Sequence, residues 1–324
     1  MTLQSEVLED QQYIPCLDYG FVGVKSVMGD DTSIVEAARV SYGKGTKSVR
    51  EDEALIRYLM RLDHTSPFEM NAIKLHIKAP IFVFRQLFRH RTHSANEQSA
   101  RYSEMAEEFY IPENDVIQPQ SKDNKQGRSG TVSDQSKNGV KWIFKALYET
   151  AYDGYQTLLG AREPEKFNQG EPLYDAYGSG DPLFDDDFQG IARELARSIL
   201  PVGVYSELYW QQNLLNMFKL LKLRTDLHAQ YEIRVYANAI CKLIEPCFPS
   251  AFKAFDDYQR YATKLSRMDT ILIKELLMTD NPLLKLKELI FLSGSVKLFC
   301  ETRDFSIREF KELITKFGLD SVLE

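Results

Sequence analysis

Residues 89–102 read RHRTHSANEQSARY. Arg89, His90, Arg91 and Arg101, with His93 as a fifth candidate base, share this stretch with Ser94, Asn96, Gln98, Ser99 and a single acid, Glu97. A forked guanidinium engages phosphate or carboxylate oxygens in pairs, and hydroxyls and amides beside it complete an anion site. The chemistry on offer is therefore recognition of a small anion. The rest of the chain makes the cluster a local exception, because its 324 residues carry a formal net charge of −7. Such a body has little general affinity for nucleic acid or anionic membrane.

Two more groups of residues could contribute. In LRTDLHAQYEI (223–233), Arg224, His228 and Glu232 are spaced i, i+4, i+8 and would share one helical stripe. In ARELARSILP (192–201), Arg193 and Arg197 are four apart, with Glu194 three before Arg197. A metal reading would combine His90, His93 and Glu97 with His228 and Glu232. Arg89, Arg91 and Arg101 would then crowd the cation with like charge, so a metal-dependent hydrolase ranks far below an anion-binding enzyme, and no metal is expected. A protein that binds single-stranded nucleic acid through the arginines ranks equally low. No glycine-rich dinucleotide fingerprint occurs. Cys16, Cys241, Cys247 and Cys300 match neither a disulfide framework nor a zinc spacing and read as buried thiols.

The elements that would position these residues follow from periodicity and caps. Residues 20–29 read as a strand ending in a turn at Gly29, and 32–43 as a helix capped by Thr32 or Ser33 and stopped by Gly43. A helix over 51–64 is followed by Ser66-Pro67-Phe68-Glu69, in which Ser66 caps and Glu69 completes a capping box. Residues 71–78 alternate, with Ile73, Leu75 and Ile77 on one face and Lys74, His76 and Lys78 on the other, which specifies a half-buried strand. A helix from Pro80 to His90 buries Ile81, Phe84, Leu87 and Phe88 and projects Gln86 and Arg89. Ser94 and Glu97 would then open a new turn, leaving amides free near Gln98 to Arg101.

Residues 113–139 and 170–187 are polar excursions, and a helix is expected at 141–159. Three helical patterns follow at about 188–200, 204–224 and 226–245. The last helix, 306–317, has a capping box at Ser306 and Glu309, an apolar stripe and a stop at Gly318. The organisation expected is a domain over 1–264 holding both excursions and a helical extension over 265–324. Hydrophobic content of 44% allows a sizeable core. With no apolar run of spanning length and a polar, acidic start, the expectation is a soluble cytoplasmic protein without membrane or nucleic-acid partners.

The run Arg89-His90-Arg91, Ser94, Asn96-Glu97, Ser99 and Arg101-Tyr102 resembles the signature of flavin-dependent thymidylate synthases. The likeness extends through HTSPFE (64–69), KAPIFVFRQLFRHR (78–91) and LRTDLHAQYEI (223–233), and it covers most of residues 17–260. It implies an α/β (α+β) fold, a central mostly antiparallel sheet flanked by long helices, and a homotetramer with sites between subunits. It implies conversion of dUMP to dTMP with 5,10-methylenetetrahydrofolate and NADPH as co-substrates and FAD as cofactor. On this resemblance Arg224 is the catalytic arginine that ionises N3 of the uracil. Gln86, Leu87, Phe88, Arg89, Glu97, Gln98, Ser99, Ala100, Arg101 and Arg197 join it around dUMP. Ser66, Arg89, His90, Arg91, Glu97, Asn213, Leu214, Leu215 and Lys219 fall at FAD positions, and His64 and His228 lie near the flavin. Leu215 departs from an arginine common in relatives, and Lys219 from an asparagine found in some. No cysteine belongs to any of these motifs.

Overall fold

The computed structural model describes residues 13–40, 49–122, 125–161, 184, 187–279, 281–303, 306–319 and 321. Contacts divide the chain into two units, Met1–Arg260 and Tyr261–Glu324. The first holds a five-stranded antiparallel sheet in the order β1-β2-β3-β5-β4: β1 (Tyr13–Cys16), β2 (Gly20–Met28), β3 (Ala72–Pro80), β4 (His93–Glu97) and β5 (Tyr205–Asn213). Among the described residues its helices are α1 (Asp31–Arg39), α2 (Val49–Arg61), α3 (Ser66–Glu69), α4 (Ile81–Leu87), α5 (Asp134–Leu158), α6 (Arg193–Ala196), α7 (Leu214–Arg224), α8 (Tyr231–Ile244) and α9 (Pro249–Phe255).

The alternation in β3 is realised as expected. Ile73, Leu75 and Ile77 are fully buried and share one core with Val22, Leu208 and Trp210 of the neighbouring strands and with Ile233, Tyr236 and Ile240 of α8. On the opposite face His76 stacks on Tyr209 and meets the edges of Tyr13 and Phe21. Gly29 turns the chain at φ 85°, in the left-handed region that favours glycine. The cap of α1 is Asp30, in a capping box with Ser33, in place of Thr32 or Ser33; Gly43 lies outside the described residues. Thr65, not Ser66, is the N-cap of α3, and it makes no side-chain cap bond. Ser66 is already helical, and Pro67 sits within the first turn, where its missing N–H costs no helical hydrogen bond.

The largest departure lies at 204–224, expected as one helix. Residues 205–213 are instead β5, which pairs with β3 on one side and β4 on the other. Leu208, Trp210 and Gln212 point inward while Tyr209 and Gln211 are exposed, a period of two. The helix begins only at Leu214, where the Asn213 side chain accepts from the Asn216 amide. The 188–200 pattern shrinks to α6 and one tight turn at Arg197–Ile199. Most of the excursion at 170–187 lies outside the described residues. The α5 helix starts at Asp134, inside the excursion drawn to residue 139, because Ser133 caps it.

The second unit contains α10 (Arg267–Leu277), α11 (Pro282–Leu292), α12 (Val296–Glu301) and α13 (Ile307–Lys316). Leu272, Leu286, Phe299, Phe310 and Ile314 form its own buried cluster. The Ser306–Glu309 capping box forms as the sequence requires.

Candidate active site

Pro80 closes β3 and α4 follows at once, its first amides accepted by the chain entering β5: Ile81 N–H donates to Val204 O and Phe82 N–H to Val202 O, both at 3.0 Å. Val83, Phe84 and Leu87 are buried, which aims the end of the helix at the sheet edge. The helix stops at Leu87, three residues short of His90, because the chain tightens there: Arg89 N–H donates to Gln86 O and His90 N–H to Leu87 O. This turn separates the triplet by direction. Arg89 and Arg91 are exposed, and His90 is buried at 8%. Thr92 then takes φ 58°, a left-handed conformation that is strained for a β-branched residue and costs on the order of 1–3 kcal/mol.

Beyond Thr92 the expected capped turn at Ser94–Glu97 is absent. His93–Glu97 is β4, registered as His93↔Gln212, Ala95↔Trp210 and Glu97↔Leu208. A local cap signal loses here to a ladder of backbone bonds with a strand over a hundred residues away. His93 stacks on Trp210 with centroids 3.9 Å apart, Phe88 packs on both rings, and His93 Nδ1–H donates to His90 O at 2.6 Å.

Arg224, the last residue of α7, reaches His90 from the other side: its Nε–H donates to His90 Nε2 at 2.8 Å. An acceptor nitrogen facing a guanidinium must be unprotonated. His90 is accordingly pushed down to about 4, first by burial, then by the charges of Arg224 and His93. Burial also lowers the Arg224 pKa. Among the described residues no carboxylate pairs with Arg224, so it is a half-buried cation whose only side-chain partner is neutral.

A cavity of about 270 Å³ opens beside β4, lined by Glu97, Gln98, Ser99, Ala100, Arg197 and Ser206, with Ile81, Met105, Leu200 and Val204 as its apolar wall. Gln98 N–H is taken by Glu207 O, whereas the amides of Ser99 and Ala100 have no partner among the described residues. Desolvation raises the Glu97 carboxyl although its side chain reaches solvent; Ser206, Arg197 and Arg85 pull it back. Arg101 stands outside with exposed Glu194 at 3.8 Å, a pairing worth little in water.

The remaining candidates fall in two places. Leu215 and Lys219 of α7 line a cavity of about 90 Å³ with Asp63, Thr65 and Phe68, next to exposed His64 and Ser66. Leu214 is fully buried in the core. His228 lines another cavity, of about 550 Å³, with Gln230, Arg128 and Arg234. The stripe expected for Arg224, His228 and Glu232 does not exist. The chain leaves helical geometry after Arg224, where Asp226 accepts from the His228 amide and ring, and α8 restarts at Tyr231. His228 is thereby exposed while Glu232 is buried.

Residues 24–250 match the model of a family described as thymidylate synthase complementing protein. The chain belongs to that family. Among curated relatives it is 48% identical over 252 residues to a flavin-dependent thymidylate synthase of Ruegeria pomeroyi, covering 78% of this chain and 76% of the relative. It is 42% identical to the enzyme of that name from Rickettsia conorii over 96% of each chain. A crystal structure of a UMP/dUMP methylase from Streptomyces cacaoi bound with 5-Br UMP is similar over 76% of this chain and 98% of the other, with a TM-score of 0.61 and 32% identity.

Within this family frame, the structure adds residues that the sequence does not single out. Arg128 and Tyr110 both bond to Glu232, from a polar excursion and from the segment before it. Ser206 and Trp210 enter through β5, and the period-two pattern of Leu208, Trp210 and Gln212 is the signal that reveals them. Among the described residues no group of three or more His, Cys, Asp or Glu could hold a metal, and no helix is long and apolar enough to cross a membrane. All four cysteines are free thiols. Burial raises Cys16 to about 12 and Cys241 to about 11, and it raises Cys247 and Cys300 as well. Thiols held protonated are poor nucleophiles. Serine at each of the four positions should therefore keep turnover within about threefold of wild type, as assayed on folded, flavin-loaded protein. A single inactive variant would implicate a thiol.

Proposed function

We infer that this chain is an FAD-dependent thymidylate synthase that methylates dUMP to dTMP, taking the carbon from 5,10-methylenetetrahydrofolate and reducing power from NADPH. The observation that carries the reading is Arg224, a half-buried guanidinium set against a neutral imidazole with no acid among the described residues to compensate it. Such a cation fits an anionic ligand, and a uracil that has lost its N3 proton is one. Placed at N3, the guanidinium would favour that anion and so increase electron density at C5, which then attacks the incoming carbon.

Arg197, with the amides of Ser99 and Ala100 that have no partner among the described residues, would hold the nucleotide phosphate, and Gln86, Arg89, Glu97, Gln98 and Arg101 would complete the dUMP set, with Leu87 and Phe88 contributing chiefly through backbone. Exposed Arg89 and Arg91 have no carboxylate partner among the described residues, which fits the pyrophosphate of FAD. Ser66, His90, Glu97, Asn213, Leu214, Leu215 and Lys219 are the other assigned FAD positions, with His64 and His228 near the flavin. Bound there, FAD would supply the two-electron redox chemistry of the reaction. These residues lie at separate places on one chain, which fits a homotetramer whose sites are completed between subunits. Trp142, Ile143 and Leu147 of α5 are exposed and supply apolar surface for such assembly. We assign catalysis to the first unit and regard the helical tail as an appendage to it.

The purified full-length protein should be yellow, release FAD on denaturation and form dTMP from dUMP when given methylenetetrahydrofolate and NADPH. A colourless protein that neither takes up added FAD nor forms dTMP would overturn the reading.

A further inference from the structure

A chain of polar contacts runs from the excursion after Tyr110 to the end of α4. Arg128 donates to both oxygens of Glu232, at 2.8 and 2.7 Å, and Tyr110 Oη donates to the same carboxylate at 2.9 Å. Gln230 Nε2 donates to Glu232 Oε2 at 2.8 Å, and Gln86 Nε2 donates to Gln230 Oε1 at 2.6 Å. Glu232 is 2% exposed.

An ionised carboxylate can only accept hydrogen bonds. That fact gives the whole chain a direction. Gln230 must turn its NH₂ to Glu232, so its carbonyl faces Gln86. Gln86 must then present its own NH₂ to Gln230, which leaves the Gln86 carbonyl for a ligand. Were Glu232 protonated or free to move, both amides could reverse and the ligand would meet a donor instead. Burial taken alone would raise the Glu232 carboxyl; the hydrogen bonds from Arg128 and Gln230 outweigh it and hold the group below the ordinary carboxylate range. Loss of Arg128 would leave a nearly inaccessible acid without its cation, the situation in which a carboxyl picks up a proton.

We propose that Arg128 is a positioning residue for dUMP, acting through Glu232 and Gln230 to fix the amide of Gln86 with its carbonyl toward the nucleotide. The proposal rests on the assignment of Gln86 to the dUMP site. It also gives the polar excursion a purpose: one arginine carried across 104 residues of sequence to lock a substrate contact.

The test is a double-mutant cycle on the full-length protein, following KM for dUMP, kcat and bound FAD. Arg128→Met should raise the dUMP KM about tenfold with FAD content unchanged, and Arg128→Lys should restore part of the loss. Glu232→Gln, which removes the accept-only end, should act in the same direction as Arg128→Met. In a Gln86→Ala background, Arg128→Met should change the dUMP KM by less than about twofold, because the group it positions is gone. An equal loss in both backgrounds, or an unchanged KM in Arg128→Met, overturns the relay. Should Arg128→Met fail to fold, the same cycle run with Glu232→Gln and Gln86→Ala decides the question by the same criterion. A wild-type chain that binds no FAD and forms no dTMP refutes the synthase reading and the relay with it; an active wild type with an additive cycle refutes the relay alone.

Discussion

Arg224→Ala is expected to lower the rate of dTMP formation at saturating dUMP by a hundredfold or more, about 2.7–4 kcal/mol of barrier, while leaving bound FAD unchanged. Arg224 sits at the last turn of α7 with its Nε–H spent on His90, so the remaining face of the guanidinium is the part free to meet a ligand. The variant removes a preorganised charge from a half-buried position, where water substitutes for it poorly. Arg224→Lys tests geometry against charge: it keeps the cation and loses the fork, so its rate should lie between those of wild type and the alanine variant. Single-turnover measurements on flavin-loaded protein check this. Near-normal dTMP formation by Arg224→Ala would remove Arg224 from the chemistry.

The second large effect is on stability. Burial and the neighbouring charges push His90 down to about 4 in the fold, from about 6.5 in an unfolded chain. A base whose pKa is depressed by folding stabilises fully above its unfolded value, and that contribution is lost as pH falls through the folded value. Urea unfolding should therefore show constant His90-dependent stability above about pH 6.5 and a decline from there towards pH 4. The loss should amount to at most about 3 kcal/mol. The comparison must be with His90→Asn, since carboxylates such as Glu232 and Asp226, held low in the fold, add their own losses at the acid end. The difference between the two curves should open inside the 6.5-to-4 window. Parallel curves throughout that window would mean that burial and the Arg224 contact do not hold the imidazole neutral.

Much of the frame around these residues is legible in the sequence. The alternation of Ile73, Leu75 and Ile77 specifies β3, Pro80 marks its end, and the acids that open 51–64 and the bases that close it specify α2, which ends at Arg61. The cationic cluster is equally visible, because composition alone sets 89–102 apart from an acidic chain. What fails is whatever depends on a distant partner. Ser94 and Glu97 carry a helix-start signature, yet β5 supplies their backbone with a better set of bonds. Residues 205–213 merge with an apolar run that continues into α7, and only the Asn213 cap separates strand from helix. Spacing across 224–232 assumes an unbroken helix, and the Asp226–His228 turn breaks it. Arg128 and Glu232 are far apart in sequence, so spacing ties Glu232 to Arg224 and His228 and gives no sign of its partner Arg128.

The sheet order has a consequence for how the molecule comes into being on the ribosome. Strand β3 and strand β4 are both neighbours of β5, and β5 is separated from the end of β4 by roughly a hundred residues of chain. At about 5–20 residues per second of synthesis, those residues take roughly 5–20 s to be made. Throughout that interval the nascent β3 has an open edge on the β5 side, and the arginine-rich turn has no strand on which to hang. The β1-β2-β3 meander can pair early, since its segments emerge close together, whereas β4, Arg197 and Arg224 gain their places only with or after β5. Gln86, Arg89 and Glu97 are thus made early but gain their setting late, and a chain terminated before β5 would carry them without the strand that orders β4.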